Sequence, residues 1–155
     1  MTDSLTIALE YADNADARFC LGAYYDELAQ RFEAGFDPEA VKNFDPAEMA
    51  PPKGWFVIAR LDGAAVGCGA LKRLDAKTGE IKRVWTSPLA RGQGVAGQIM
   101  DQLEALAREQ GMKAVRLDTN RALVEAKGFY LKRGYVEIDR YNDNSYADFW
   151  FEKTL

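Results

Sequence analysis

Along the 155-residue chain, apolar and polar positions switch repeatedly between a period of two and a period near 3.6. The stretch "SLTIALEYA" alternates and reads as a first strand. In "NADARFCLGAYYDELAQRFEAGFDP" the residues Phe19, Ala23, Leu28 and Phe32 fall near helical spacing and Pro38 closes the segment, predicting a helix of about five turns. Asn43 to Lys53, with Pro46, Pro51 and Pro52, reads as a loop. "GWFVIARLDG" and "AAVGCGALKRLD" are two strands joined at Asp62-Gly63, a short hairpin signal. "GEIKRVWTS" is a third strand after a turn around Lys77 to Gly79. Val95, Ile99, Leu103, Leu106 and Ala107 set a helix between Gly92 and Gln110, and Gly111 stops it. "KAVRLDTN" is a short strand, "ALVEAKGFYLKR" a helix ended by Gly134, and "YVEID" and "ADFWFEKTL" are closing strands. No repeat or linker interrupts this order, and the length suits one domain over residues 1–155, with a mixed α/β or α+β core.

Composition narrows the class. Hydrophobic residues make up 48% and charged residues 28%, as in a folded soluble domain, and no apolar run approaches a bilayer span. The N-terminus lacks the basic start and apolar stretch of a secretory signal, so the expectation is a cytoplasmic protein that does not insert in membranes. Cys20 and Cys68 are too few for a disulfide framework. The chain has no His, which excludes imidazole catalysis and the usual zinc ligand sets; no metal is expected. The net charge of −4 is unevenly spread: residues 1–53 hold 4 basic and 11 acidic side chains, residues 54–133 hold 14 and 8, and residues 134–155 hold 2 and 5. This is either scattered surface charge, or a basic centre for a polyphosphate beside an acidic flank for a cation; nucleic acid is not the expected partner.

The stretch "SPLARGQGVAGQIM" carries the candidate chemistry. A glycine-rich turn between a strand and a helix leaves backbone N–H groups free, lets a ligand approach without meeting Cβ atoms, and sits at the positive end of the helix dipole. It lacks the Lys-Ser/Thr ending of a Walker loop and is not a G-x-G-x-x-G after an N-terminal strand. Arg91-x-x-Gly94-x-Ala96 resembles the acetyl-CoA signature of the GNAT family of N-acetyltransferases. Two further segments resemble that family: "GEIKRVWTSPLARGQG", like its central strand and loop, and "LDTNRALVEAKGFYLKRGY", with Ala126, Tyr130, Gly134 and Tyr135 in its A-x-x-x-Y-x-x-x-G-Y/F pattern.

The resemblance implies a mixed, mostly antiparallel sheet of about seven strands with helices on both faces, in which the strand before the loop splays from the next one. It implies acetyl-CoA as co-substrate and acetyl transfer to a primary amine of a small molecule or peptide in a ternary complex. The N–H of Val84 would face the thioester carbonyl, Thr86 would bind pantetheine beside Trp85, and pyrophosphate would rest on the amides of Arg91, Gly92, Gln93, Gly94, Val95 and Ala96. Tyr130 falls at the general-acid position and suits a proton donor with an ordinary pKa near 10. Glu80, 14 positions before Gly94, matches a glutamate general base, acting directly or through water, or else is a salt-bridged strand residue beside Lys82; Glu27 or Asp26 can replace it. Where many relatives carry Asn or Gln, seven residues before the tyrosine, this chain has Leu123; Asn120 either substitutes for it or caps the following helix.

Acceptor specificity would come from the first helix and the last strands. Tyr24, Tyr25, Phe32 and Phe36 can form an apolar wall there, and Asp26, Glu27, Glu33, Asp143 and Asp148 can attract a cation, whereas Arg31 can clamp a carboxylate. Trp55, Phe56, Trp85, Phe149, Trp150 and Phe151 are expected in the core, and Cys68 at a bulged strand. The competing readings are a non-catalytic acyl-CoA sensor, which needs no acid near the sulfur, and a nucleotide-binding protein. Dimerisation through the last strands, common in the family, stays open.

Overall fold

The computed structural model describes residues 4–32 and 46–155. Seven strands form one sheet: β1 (Leu5–Glu10), β2 (Gly54–Leu61), β3 (Ala64–Arg73), β4 (Thr78–Thr86), β5 (Ala114–Thr119), β6 (Val136–Ile138) and β7 (Phe149–Thr154), in the order β1-β2-β3-β4-β5-β7-β6. Every neighbouring pair is antiparallel except β4 and β5. The β2–β3 hairpin turns on Asp62 and Gly63, both at positive φ, as a two-residue turn matched to strand twist requires.

Helix α1 (Ala15–Arg31) covers one face. Asn14 caps it by accepting from the Ala17 N–H at 2.8 Å, and it packs Ala17, Cys20, Leu21 and Tyr25 against Phe56, Ile58, Cys68 and Trp85, with Leu28 also buried. On the other face lies α2 (Val95–Glu109), whose Val95, Ile99, Met100, Leu103, Leu106 and Ala107 pack on Trp55, Val57, Leu71, Ile81, Val115 and Leu117. Full burial of each large aliphatic side chain contributes about 1.5–3 kcal/mol. The approach is close because β3 offers no side chain there. A Cβ on Gly67 would stand 2.9 Å from Ile99 Cδ1, and one on Gly69 2.8 Å from Ile99 Cγ2 and 2.9 Å from Leu103 Cδ1. These glycines fix the depth of α2, and with it the position of its N-terminus beside the end of β4. Helix α3 (Ala126–Lys132) rests on the α2 face through Phe129 and Tyr130.

Several expectations change. α1 ends at Arg31, with Phe32 extended; its predicted continuation to Pro38 lies outside the described residues. The proline-rich loop contains a 3-10 turn at Pro46–Met49. α3 begins four residues later than its pattern suggests, because Asn120 Oδ1 takes the Ala122 N–H at 2.7 Å and residues 120–126 run as successive turns. Phe149 and Trp150 are only partly buried, and the Trp150 indole donates to Asn142 Oδ1 at 2.9 Å, while Trp55, Phe56, Trp85 and Phe151 are core residues as expected.

Candidate active site

The site begins where β4 leaves β5. Thr78, Gly79 and Glu80 pair with Ala114, Val115 and Arg116, and there the parallel ladder stops. β4 continues to Thr86 with β3 on its other edge, while β5 turns to β7. A bulge sharpens the divergence: Arg83 and Val84 together oppose Gly69, Arg83 takes φ +56°, and the Cys68 thiol donates to the Arg83 carbonyl at 3.3 Å. A non-glycine residue held at positive φ is a local strain of the kind that gathers at functional sites. Between the strands lies a cavity of about 580 Å³, walled by β4 from Glu80 to Thr86, the start of α2, Asp118 to Asn120, α3 and α1.

At the mouth, Ser87 Oγ accepts from the Leu89 N–H at 3.3 Å and starts a 3-10 turn, Pro88–Ala90. Gly92 and Gly94 follow at φ +83° and +76°, and Gly94 caps α2 with no side chain over the helix's first amides. A Cβ at either glycine would meet nothing within 4 Å; conformation demands glycine here, not crowding. The result is a helix start whose first amides no side chain caps, an arrangement that in general favours an anion. Inside the cleft, Thr86 Oγ1 is buried and has no hydrogen-bond partner among the described residues.

The inner end of the cleft is polar and dominated by carboxylates. Glu80, 6% exposed, accepts from the Tyr141 hydroxyl at 2.7 Å and from Asn142 Nδ2 at 3.1 Å, with Lys82 Nζ at 3.4 Å. Asn142 Nδ2 also donates to Asp118 Oδ2 at 2.6 Å, and Asn144 Nδ2 to Asp118 Oδ1 at 3.1 Å. One amide therefore bridges two carboxylates. Burial, reinforced by the charge of Glu80, pushes the Asp118 carboxyl above its usual range against these hydrogen bonds. Burial and Glu80 push the Tyr141 hydroxyl up as well. Tyr130 lines the same cavity, packed against the Tyr135 and Phe129 rings at 5.8 and 5.3 Å; burial, then the Asp118 charge, raises its hydroxyl to about 12.

The sequence profile of the acetyltransferase (GNAT) family matches residues 21–135. An "IAA acetyltransferase" from Azospirillum brasilense is 32% identical over 113 residues, 72% of this chain and 74% of that protein. The chain belongs to the GNAT acetyltransferase family. Among solved structures, an acetyltransferase from Streptococcus agalactiae superposes with a TM-score of 0.79 at 26% identity, covering 97% of this chain and 98% of that one. A GNAT family acetyltransferase from Elizabethkingia anophelis, crystallised with acetyl-CoA bound, shares the fold with a TM-score of 0.71 at 18% identity over 99% of this chain and 100% of that one. GNAT relationship and fold are thus established together.

Within this GNAT fold the residues read from the sequence converge on one cavity: Glu80, Val84, Trp85, Thr86, Arg91, Gly92, Gly94, Val95, Ala96, Asn120 and Tyr130 all line it. Gln93 folds back toward the Leu89 carbonyl at 3.5 Å and stays exposed. The Trp85 ring is buried edge-on to Phe19 on the α1 side, leaving mainly its backbone for the cleft. Asn120 is not the cap of α3, whose N-cap is Glu125; its amide engages Ala122 N and the Tyr146 carbonyl, the latter at 2.5 Å. Glu27, the alternative base, is ion-paired with Arg91, and Arg31, the carboxylate clamp, is held by Glu125 at 2.6 and 2.8 Å. Of the acidic flank, Asp26 is exposed, Asp143 stands 3.9 Å from Arg140, and Asp148 accepts from the Arg121 N–H at 2.9 Å. Tyr25 accepts from Arg83 Nε at 3.1 Å, and Phe32 meets Tyr146 at 5.6 Å. Glu33 and Phe36 lie outside the described residues. Asp118, Tyr141 and Asn142 are the polar residues the sequence reading missed. A charged residue in the short strand "AVRLDT" was the one available signal for Asp118.

Among the described residues no group of His, Cys, Asp or Glu is arranged to hold a metal ion, and no helix is long and apolar enough to cross a membrane.

Proposed function

We propose that this chain transfers the acetyl group of acetyl-CoA to a primary amine of a small molecule or peptide, by direct attack in a ternary complex. The observation that carries the reading is the parting of β4 from β5 beside an uncapped, glycine-built helix start. The pyrophosphate rests on the amides from Arg91 to Ala96, and the pantetheine arm lies along the edge of β4 that β5 has left, with Thr86 offering a buried hydroxyl whose partner comes from the ligand. The N–H of Val84 polarises the thioester oxygen, as an oxyanion donor on fixed backbone does.

The amine nitrogen attacks the thioester carbon. An amine that arrives as ammonium first gives one proton to Glu80, directly or through a water, so that the attacking nitrogen is neutral; the proton that nitrogen sheds from the tetrahedral adduct goes to solvent as the C–S bond breaks and the thiolate departs. The hydroxyl of Tyr130, raised to about 12, remains a hydrogen-bond donor across the physiological range, and it stabilises the developing thiolate by donating toward sulfur. Asp118 and Glu80 place negative charge where a cationic amine must arrive. Asn120 and the pairs Arg91–Glu27 and Arg31–Glu125 shape the walls.

Release of free thiol from acetyl-CoA in the presence of amines, amino acids, polyamines and peptides tests the reading, with mass spectrometry identifying the acetylated product. Transfer to at least one amine, sharply reduced in Tyr130→Phe, is the expected result. Tight acetyl-CoA binding with no thiol release from any acceptor would instead make the protein an acyl-CoA sensor.

A further inference from the structure

Glu80 faces two spaces. Beyond the cleft, the same face of the sheet carries an open groove of about 460 Å³, lined by Lys72, Lys82, Arg116, Leu74 and Tyr141, and sharing Glu80, Lys82, Asn142 and Asn144 with the cleft. The register explains the cations. Lys72 on β3 pairs with Glu80 on β4, and Glu80 pairs with Arg116 on β5, so the three side chains stand abreast; Lys82 follows two residues along on the same face. Three cations line this groove against the one carboxylate that the cleft also uses. Their other partners, Glu48 at 3.7 Å from Lys72 and Glu152 at 2.9 Å from Arg116, are not part of its lining. The Arg116 guanidinium lies over the Tyr141 ring, 5.4 Å from its centre, and donates to Glu152 at 2.9 Å.

We infer that this groove is the acceptor's subsite and that it takes an anionic end: the acceptor is a compact amine bearing a carboxylate or phosphonate, its nitrogen at Glu80 and its acid between Lys72, Lys82 and Arg116. Glu80 stands between Lys72 and Arg116, one strand spacing of about 4.8 Å from each, so an acid held by these cations lies within a few ångströms of a nitrogen at Glu80, the reach of a short amino acid or aminoalkylphosphonate. The pantetheine arm occupies the cleft on one side of Glu80, which leaves the groove for the amine. Lys82, on the shared boundary, covers the approach to both. The inference rests on the acetyl-transfer reading for the fate of the nitrogen, but not for the binding itself.

The experiment compares 4-aminobutyrate and 3-aminopropylphosphonate with butylamine, which has no acid, on the full chain saturated with CoA, by calorimetric titration and, with acetyl-CoA, by thiol release. In the wild type both acids should bind at least about tenfold more tightly than butylamine, the scale of a charge-assisted contact, and show the same advantage in kcat/KM. The ratio should fall toward one in the Lys72→Gln, Arg116→Gln double variant, with the melting temperature recorded alongside. Lys72→Glu supplies a second, charge-reversing test: preference should move from 4-aminobutyrate toward 1,4-diaminobutane. A preference for one acid over the other tells carboxylate from phosphonate. Equal binding of acids and butylamine in the wild type, or a ratio unmoved by the variants, overturns the inference. If the acids bind in a groove-dependent way and no acetyl group moves, the subsite stands and the acetyl-transfer reading fails.

Discussion

The two edges of β4 differ. The β3 edge is paired from Gly79 to Thr86, interrupted only at the bulge, whereas the β5 edge is paired for three residues and then opens. Behind the first edge the glycines of β3 let α2 sink onto the sheet, and the residues in contact are apolar and fully buried. Along the second edge stand an unpartnered hydroxyl, uncapped amides and two carboxylates bridged by one asparagine. A continuous ladder gives a strand stability; an interrupted one gives it free main-chain donors and acceptors at a fixed place. The closed edge holds the open one in position.

Substitutions should therefore separate stability from activity according to the edge they touch. Leu103→Ala, behind the closed edge and against Gly69, should cost about 2–5 kcal/mol of folding stability in urea titration, with acetyl-CoA affinity little changed wherever the fold persists. Tyr130→Phe, on the open edge, should leave the melting temperature within a few degrees and lower kcat about 100-fold, close to 2.7 kcal/mol in the barrier. If the affinity for CoA fell by as much as kcat, Tyr130 would be a binding wall instead. Gly94→Ala forces a Cβ into the left-handed region at a cost of about 1–2 kcal/mol; pyrophosphate binding should weaken about tenfold by calorimetry, since the helix start must shift.

The smallest effect concerns the mouth. Arg31 holds the Glu125 carboxyl at about 2, below the usual carboxylate range. A lowered folded-state pKa adds stability that is complete above the unfolded value near 4.5 and disappears as pH falls toward 2. Glu125 is largely exposed, so solvent screening limits the pair to less than about 1 kcal/mol. Glu125→Gln should flatten the loss of stability between pH 4.5 and 2 by no more than that, read from urea midpoints. Tyr130 behaves oppositely: its raised hydroxyl stays protonated, so kcat should show no alkaline fall from it below about pH 11.

How far the sequence anticipated this pattern depended on how local each cause was. The Asp62-Gly63 hairpin, the stops at Gly111 and Gly134 and the loop around Gly92 and Gly94 were legible because each is decided by the φ of one or two residues, all found positive. The central helix was legible because its apolar positions repeat with the helical period. A bulged strand at Cys68 was expected, and the pairing of β3 does shift register on both of its edges; that the extra residue opposite Gly69 falls on β4, at Arg83, shows only when β4 is paired against β3. The pairs Arg91–Glu27 and Arg31–Glu125, which join residues 64 and 94 positions apart, were not legible. The late start of α3 turned on Asn120, read either as a pantetheine contact or as the cap of that helix; it does not cap the helix, and its oxygen closes a turn on the Ala122 N–H instead. The bridge from Asn142 to Glu80 and Asp118 came from a segment of which only Asp143 and Asp148 had been singled out, as attractors for a cation.

Titrating acetyl-CoA into isotopically labelled protein while following backbone amide resonances tests the central claim most directly. The account predicts that the amides of Val84 to Thr86 and Arg91 to Ala96 shift together and saturably, with those of β1 and β2 unmoved. Shifts confined to another face, or saturable binding that leaves Gly92, Gly94 and Val84 undisturbed, would contradict it.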